Sequence, residues 1–214
     1  MSVVSRTPKT LGEGELEAIA VLKAAFARRP KPKTISGCLH CLEQYQRDIL
    51  LASDRGFHAR PSSDTDCLIE ALGHFAWDAF STVGDAESYT YFLPAMLAQA
   101  MRFPDSSLMD IPENFAGKLL QSGTLDIAEE RAAIALWLRT IFESDLDRRD
   151  FLTAEYRLET AFRAGLEVDD LLTCVPETQA KEFARYLAKR RRVTRSLSSF
   201  HVALTGWIDT QCKA

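Results

Sequence analysis

Apolar residues recur along this chain at intervals of three and four, the spacing that gathers them on one face of an α-helix. No run alternates strictly enough, with hairpin chemistry at its ends, to predict paired strands. Between Gly14 and Arg29, the residues Leu16, Ile19, Val21, Leu22, Ala25 and Phe26 form a wide apolar stripe. Pro30-Lys31-Pro32 ends that helix, because neither proline can donate to the backbone ladder. Ser36 is placed to cap a second helix running to Leu51, with Cys38 and Cys41 in its first turns.

The densest apolar segment runs from Asp64 to Arg102. In its first half Leu68, Ala71, Leu72, Phe75, Ala76, Ala79 and Phe80 share one helical face. Glu70, His74 and Asp78 share the other, with Trp77 at the border, and Asp64 or Asp66 supplies a cap. Gly84-Asp85 breaks the chain and restarts it. Pro94 suits the first turn of a new helix carrying Ala95, Met96, Leu97, Ala100 and Met101, since its missing N–H costs nothing there. Tyr89, Tyr91 and Phe92 then fall on a short helix or bend just before it.

Beyond this segment, Phe103 to Ser107 reads as a turn, and Pro112 opens a short helix to about Leu120 that Gly123 ends. The helix from Asp126 to Glu143 has no polar face in its middle, Ala132 to Leu138. A helix apolar all round is normally buried on all sides. It is therefore expected to be the central rod of the core, with the Trp77 helix packed against it. Ser144-Asp145-Leu146-Asp147 is the expected linker between a helical core domain over 1–143 and a C-terminal helical extension over 144–214 packing on the same core. The extension reads as a helix ended by Gly165 in the left-handed conformation, an acidic turn at Asp169-Asp170, a helix opened by Pro176 and a last helix around Phe200 to Trp207. The predicted fold is all-α, a compact bundle of about eight helices.

Composition narrows the setting. A chain of 214 residues can bury a substantial core, and 46% hydrophobic with 26% charged residues is ordinary for a globular protein. The formal net charge of −4 offers no general attraction to nucleic acid or anionic membrane. The opening stretch, MSVVSRTPKT, has no apolar signal core. The longest apolar run, Ala132 to Leu138, falls far short of the roughly 20 residues that a membrane span needs. Five scattered cysteines do not make a secreted disulfide framework, so the cytoplasm is the expected compartment.

Trp77, then Tyr89-x-Tyr91-Phe92-Leu93-Pro94 and a helix, resembles the mid-chain aromatic-Tyr-aromatic-Leu-Pro signature of a bacterial family catalogued as a domain of unknown function. The resemblance spans Leu16 to Phe142, and Thr90 departs from the signature by separating the first two aromatics. It implies a small α-helical protein, with an immunity or regulatory role among its relatives, and carries over no catalytic residue.

Candidate chemistry gathers in a few places. Cys38-Leu39-His40-Cys41 at a helix start sets two thiols three residues apart, where free amides and the helix dipole favour a thiolate. The pair reads as small side chains packing a helix, as half of a zinc site, or as a dithiol redox pair. Zinc normally takes four ligands, and His74 or His58 is the candidate for a further one; no other cofactor is indicated. Glu70, His74 and Asp78 make a ladder that is either a solvated face or the lining of a pocket beside Trp77.

The basic run Arg185, Lys189, Arg190, Arg191, Arg192 and Arg195 either balances the acidic residues upstream or meets an acidic partner or phosphates. No nucleic-acid motif surrounds it, which leaves nucleic acid a minority reading. Tyr89, Tyr91 and Phe92 are either core side chains or an exposed hot spot for a protein. No G-x-x-x-x-G-K, G-x-G-x-x-G, H-E-x-x-H or G-x-S-x-G occurs. The expected function is a protein-interaction module with a protein partner and no membrane role. Its expected partner-binding residues are Tyr89, Tyr91, Arg190, Arg191 and Arg192. The alternative is a metal-binding protein or metalloenzyme built on Cys38 and Cys41, with His74 as a further ligand.

Overall fold

The computed structural model describes residues 9–58, 65–103, 112–193 and 199–213. Among them the helices are α1 (Glu13–Ala25), α2 (Gln44–Ala52), α3 (Thr65–Asp78), α4 (Ala86–Arg102), α5 (Pro112–Gln121), α6 (Ala128–Asp147), α7 (Phe151–Arg163), α8 (Val168–Leu172), α9 (Glu177–Val193), α10 (Ser199–Ala203) and α11 (Thr205–Lys213). A 3-10 turn covers Thr124–Asp126, and the only bridges among the described residues are isolated ones. The all-α prediction is met, with more helices than expected. The acidic turn at Asp169-Asp170 belongs to α8, and the last helix is two pieces, α10 and α11. The predicted cap at Asp64, most of the turn after Phe103, and Arg195 lie outside the described residues.

The chain forms two compact units, one within Met1–Asp110 and Gly117–Trp137, the other within Ile111–Ala116 and Leu138–Ala214. The divisions fall inside α5 and α6. The predicted linker at Ser144 to Asp147 is instead the last turn of α6. Its acidic character does not open the helix, because Asp145 is buried and paired with Arg157 at 3.1 Å and with Arg148.

In the first unit α4 is the enclosed helix: every residue from Ser88 to Gln99 is buried, and Met101 with them. The Asp85 carboxylate accepts the Ser88 N–H at 2.9 Å, while Ser88 Oγ accepts the Asp85 N–H at 3.0 Å, a reciprocal cap. One helix thus carries both the aromatic run and the proline segment that the sequence divides in two. Pro94 lies in its interior and leaves the Thr90 carbonyl without its usual helical donor. Apolar burial all round the helix offsets that loss. Phe75 of α3 meets Phe92 edge-on with centroids 5.8 Å apart, and buried Trp137 donates its indole N–H to the Leu97 carbonyl at 3.0 Å.

The role predicted for α6 therefore belongs to α4. Ala133, Ile134 and Trp137 are buried, but Ala132 and Ala135 are exposed. Alanine counts as apolar in a pattern, yet its good helix propensity lets it stand in water at little cost. The Trp77 helix, α3, packs on α2 and α4. Its predicted faces are observed in part: Leu68, Ala71, Leu72 and Phe75 are buried and Glu70 and His74 exposed, Ala76 and Asp78 are half-buried, and the helix stops before buried Ala79 and half-buried Phe80, whose φ is 64°.

Two half-buried arginines and one buried lysine close the irregular ends of this unit. Arg55 donates to the carbonyls of Phe26, Ala27 and Arg29 at 3.1, 2.7 and 2.9 Å, and its guanidinium lies 4.5 Å over the Tyr91 ring. Lys118 reaches the last turn of α3 and donates to the Ala76 and Trp77 carbonyls. Burial pulls its pKa down to about 8, against the attraction of Asp78. Arg29 and Glu130 pair through two contacts of 2.6 and 2.7 Å.

The second unit buries Phe142, Leu158, Phe183, Leu187, Phe200 and Ile208. Its polar centre is buried Glu155 of α7. That carboxylate accepts the Tyr186 hydroxyl at 3.1 Å and Arg190 Nε at 3.0 Å, and stands 3.3 Å from His201 Nε2. Burial raises the Asp145 carboxyl above its ordinary range in spite of Arg157 and Arg148. Gly165, at φ 67°, ends α7 as predicted, with the Leu166 N–H returning to the Ala161 carbonyl at 2.9 Å.

Candidate functional site: the Cys38–Cys41 turn

The two cysteines do not lie in the first turns of α2. That helix begins at Gln44 with Glu43 as its N-cap, whose N–H donates to Gln46 Oε1 at 3.0 Å. Cys38 to Cys41 form a separate turn ahead of it, closed by the Leu42 N–H on the Cys38 carbonyl at 3.2 Å. The sequence favours this break because Gly37 adopts φ 107°, a region that suits glycine and ends any regular element begun at Ser36. A Cβ at Gly37 would fall 2.2 Å from the Thr82 carbonyl oxygen.

Close approach lets the turn be stitched to the α3–α4 connection. The Cys38 N–H donates to the Thr82 carbonyl at 2.8 Å, and the Gly84 N–H donates to the Ser36 carbonyl at 2.9 Å. From the other side comes Arg47 of α2, only 6% exposed. Its guanidinium donates to the carbonyls of Ile35 (2.6 Å), Gly37 (3.0 Å), Cys38 (2.8 Å) and Leu42 (2.9 Å). Main-chain oxygens on both flanks of the thiol pair are held by one planar fork.

Within this frame Cys38 is exposed and Cys41 half-buried, and both are free thiols. The neighbouring Cys41 and His40 amides and the Cys41 thiol favour the charged form of Cys38 and hold its pKa below the ordinary thiol range. Arg47 adds its positive charge, while partial desolvation opposes. The arrangement is an exposed thiol more easily ionised than an ordinary cysteine, with a second thiol in the same turn. Elsewhere in the chain, burial pushes the Cys174 thiol up.

The other predicted site residues are placed differently. His74 is exposed on α3, 3.8 Å from Glu70, and His58 is exposed after α2. Among the described residues no three of His, Cys, Asp or Glu are gathered as a metal site would gather them, so Cys38, Cys41 and His74 do not form one set. Tyr89 and Tyr91 are 2% and 5% exposed, which corrects the hot-spot version of their role: both rings are core. Arg190 is engaged by Glu155, and Arg191 donates to Thr205 Oγ1 at 3.1 Å. The Arg192 side chain lies outside what is described.

Arg47 is the residue that sequence reasoning missed. One signal points to it: it sits one helical turn before Leu50, on the face of α2 that is buried. A long cation in an apolar stripe needs a set of acceptors. No family model, curated protein or solved structure matches the chain. No helix among the described residues is long and apolar enough to cross a membrane.

Proposed function

We propose that the chain works through Cys38 and Cys41 as a dithiol that exchanges with disulfides of a protein partner. One observation carries this reading: the exposed Cys38 and the half-buried Cys41 share a single turn whose main chain is held by Arg47 on one side and Thr82 on the other. The thiolate is the nucleophile in such exchange. Cys38 attacks a partner disulfide, forming a mixed disulfide and releasing one partner thiolate. Cys41, once deprotonated, then attacks the Cys38 sulfur and releases the second. The partner gains the two electrons that the Cys38–Cys41 pair loses, and a thiol reductant restores the pair.

Such exchange is a narrower form of the expected interaction module. Leu39, between the two cysteines, is 58% exposed and offers an apolar contact to a polypeptide held at the sulfur. A reducing cytoplasm suits a poised dithiol, since standing disulfides there are mostly catalytic or sensory. The mid-chain resemblance to a bacterial family belongs to the same reading, as does an immunity or regulatory role.

The test is equilibration in glutathione buffers of graded potential, with disulfides mapped by mass spectrometry. A reversible Cys38–Cys41 bond is expected, together with a stable mixed disulfide on Cys38 in a Cys41→Ser variant. Thiols that stay free across the range would overturn the proposal. Stoichiometric zinc in protein purified without chelator, lost in a Cys38→Ser/Cys41→Ser variant, would move the site to the metal-binding reading.

A further inference from the structure

We infer that Arg47 is the positioning residue of the dithiol: by binding four main-chain carbonyls around the turn, its guanidinium fixes the backbone that carries the Cys38 and Cys41 thiols. The inference deepens the dithiol reading, and its use in exchange rests on that reading, though the geometry does not. A trans peptide points its C=O and N–H in opposite directions. With the Gly37 oxygen held on Arg47, the Cys38 N–H is directed away, onto the Thr82 carbonyl. With the Ile35, Cys38 and Leu42 oxygens on the same fork, both ends of the turn that carries the two thiols are fixed. Arg47 does not touch a substrate. It acts through the backbone that Cys38 depends on.

Arginine and lysine separate the two things Arg47 supplies, position and charge. An ammonium keeps the charge but has three donors on a point, and cannot span four carbonyls in a plane. The experiment is the pH dependence of Cys38 alkylation by iodoacetamide in the full-length protein, read by peptide mass, for native, Arg47→Lys and Arg55→Ala proteins. Arg55→Ala removes three arginine–carbonyl bonds at the end of α1 and serves as the control. Arg47→Lys is expected to raise the midpoint by about one pH unit, which slows the reaction about tenfold at pH 7. Arg55→Ala should leave it unchanged. A folded Arg47→Lys protein whose profile overlays the native one overturns the inference.

If Arg47→Lys does not fold, the native protein still decides the matter by nitrogen-resolved NMR. The Arg47 side-chain N–H and the His40 and Cys41 amides should titrate with the Cys38 midpoint, and resonances indifferent to that midpoint overturn the inference. Alkylation and titration read the thiol alone, so failure of disulfide exchange and failure of the Arg47 role are seen separately.

Discussion

Arg47 and Glu155 are both buried charges, yet Arg47 directs its hydrogen bonds to main-chain oxygens and Glu155 gathers side chains. Arg47 serves one stretch of irregular backbone in the first unit and leaves the helices around it to pack on their own apolar faces. Glu155 ties α7 to Tyr186 and Arg190 of α9 and stands by His201 of α10, so one carboxylate links three helices of the second unit. The difference separates a charge that shapes a site from a charge that holds a unit. The first unit also has an ion pair of the second kind, Arg29 with Glu130. It joins the end of the α1 segment to the start of α6 and lies apart from the thiol turn in sequence.

The contrast is broken most directly at Glu155. Glu155→Ala leaves its partners without their buried acceptor and is expected to lower the unfolding free energy by about 4 kcal/mol, measured by chemical denaturation. Glu155→Gln, which keeps the shape, should cost less. A loss no greater than that of Arg47→Lys would erase the distinction between the two charges.

A smaller effect is expected at the turn. Gly37→Ala forces a Cβ against the Thr82 carbonyl at a φ that disfavours it, for a loss of about 2 kcal/mol and slower Cys38 alkylation. If stability falls while alkylation does not change, the stitching to the α3–α4 connection is irrelevant to the thiol.

The smallest effect is one of pH, and it has opposite signs in the two units. Lys118 keeps its proton to about 10.5 when unfolded but releases it near 8 when folded. The unfolded chain therefore binds more protons between those values, and stability rises with pH across that window. The gain is on the order of 1 kcal/mol after solvent screening. Lys118→Met should flatten it in denaturation curves taken from pH 7.5 to 10.5. Asp145 behaves inversely. Its folded carboxyl holds a proton above the ordinary range, so its contribution is full at low pH and is lost as pH rises through the folded value.

Much of the fold is legible in the residues because helix periodicity is local. The faces of α3, the Gly165 stop and the α9 start all follow from spacing and caps. Pro94 is misread because the rule for proline at helix starts weighs one missing N–H, whereas the interior of α4 is decided by burial of nearly every neighbour. Ala132 and Ala135 are misread because a pattern scores alanine as apolar whether or not anything covers it. The cysteine pair is visible in sequence, but the frame that holds it is not. Arg47 meets carbonyls up to twelve residues away and Thr82 comes from another element, and neither distance has a local signature.

The division of the chain inside α5 and α6 has a consequence for genetic dissection. Neither unit is a single uninterrupted stretch, because Ile111–Ala116 belongs with Leu138–Ala214 and Gly117–Trp137 belongs with the N-terminal part. A truncation after Glu143, the natural cut from sequence, removes the last turn of α6 and most of the unit to which Ile111–Ala116 belongs. Deletion fragments of this protein will therefore lose structure wherever the cut falls in α5 or α6. A partner mapped by such fragments would be mapped to the wrong place, and point substitutions on the intact chain are the sound route.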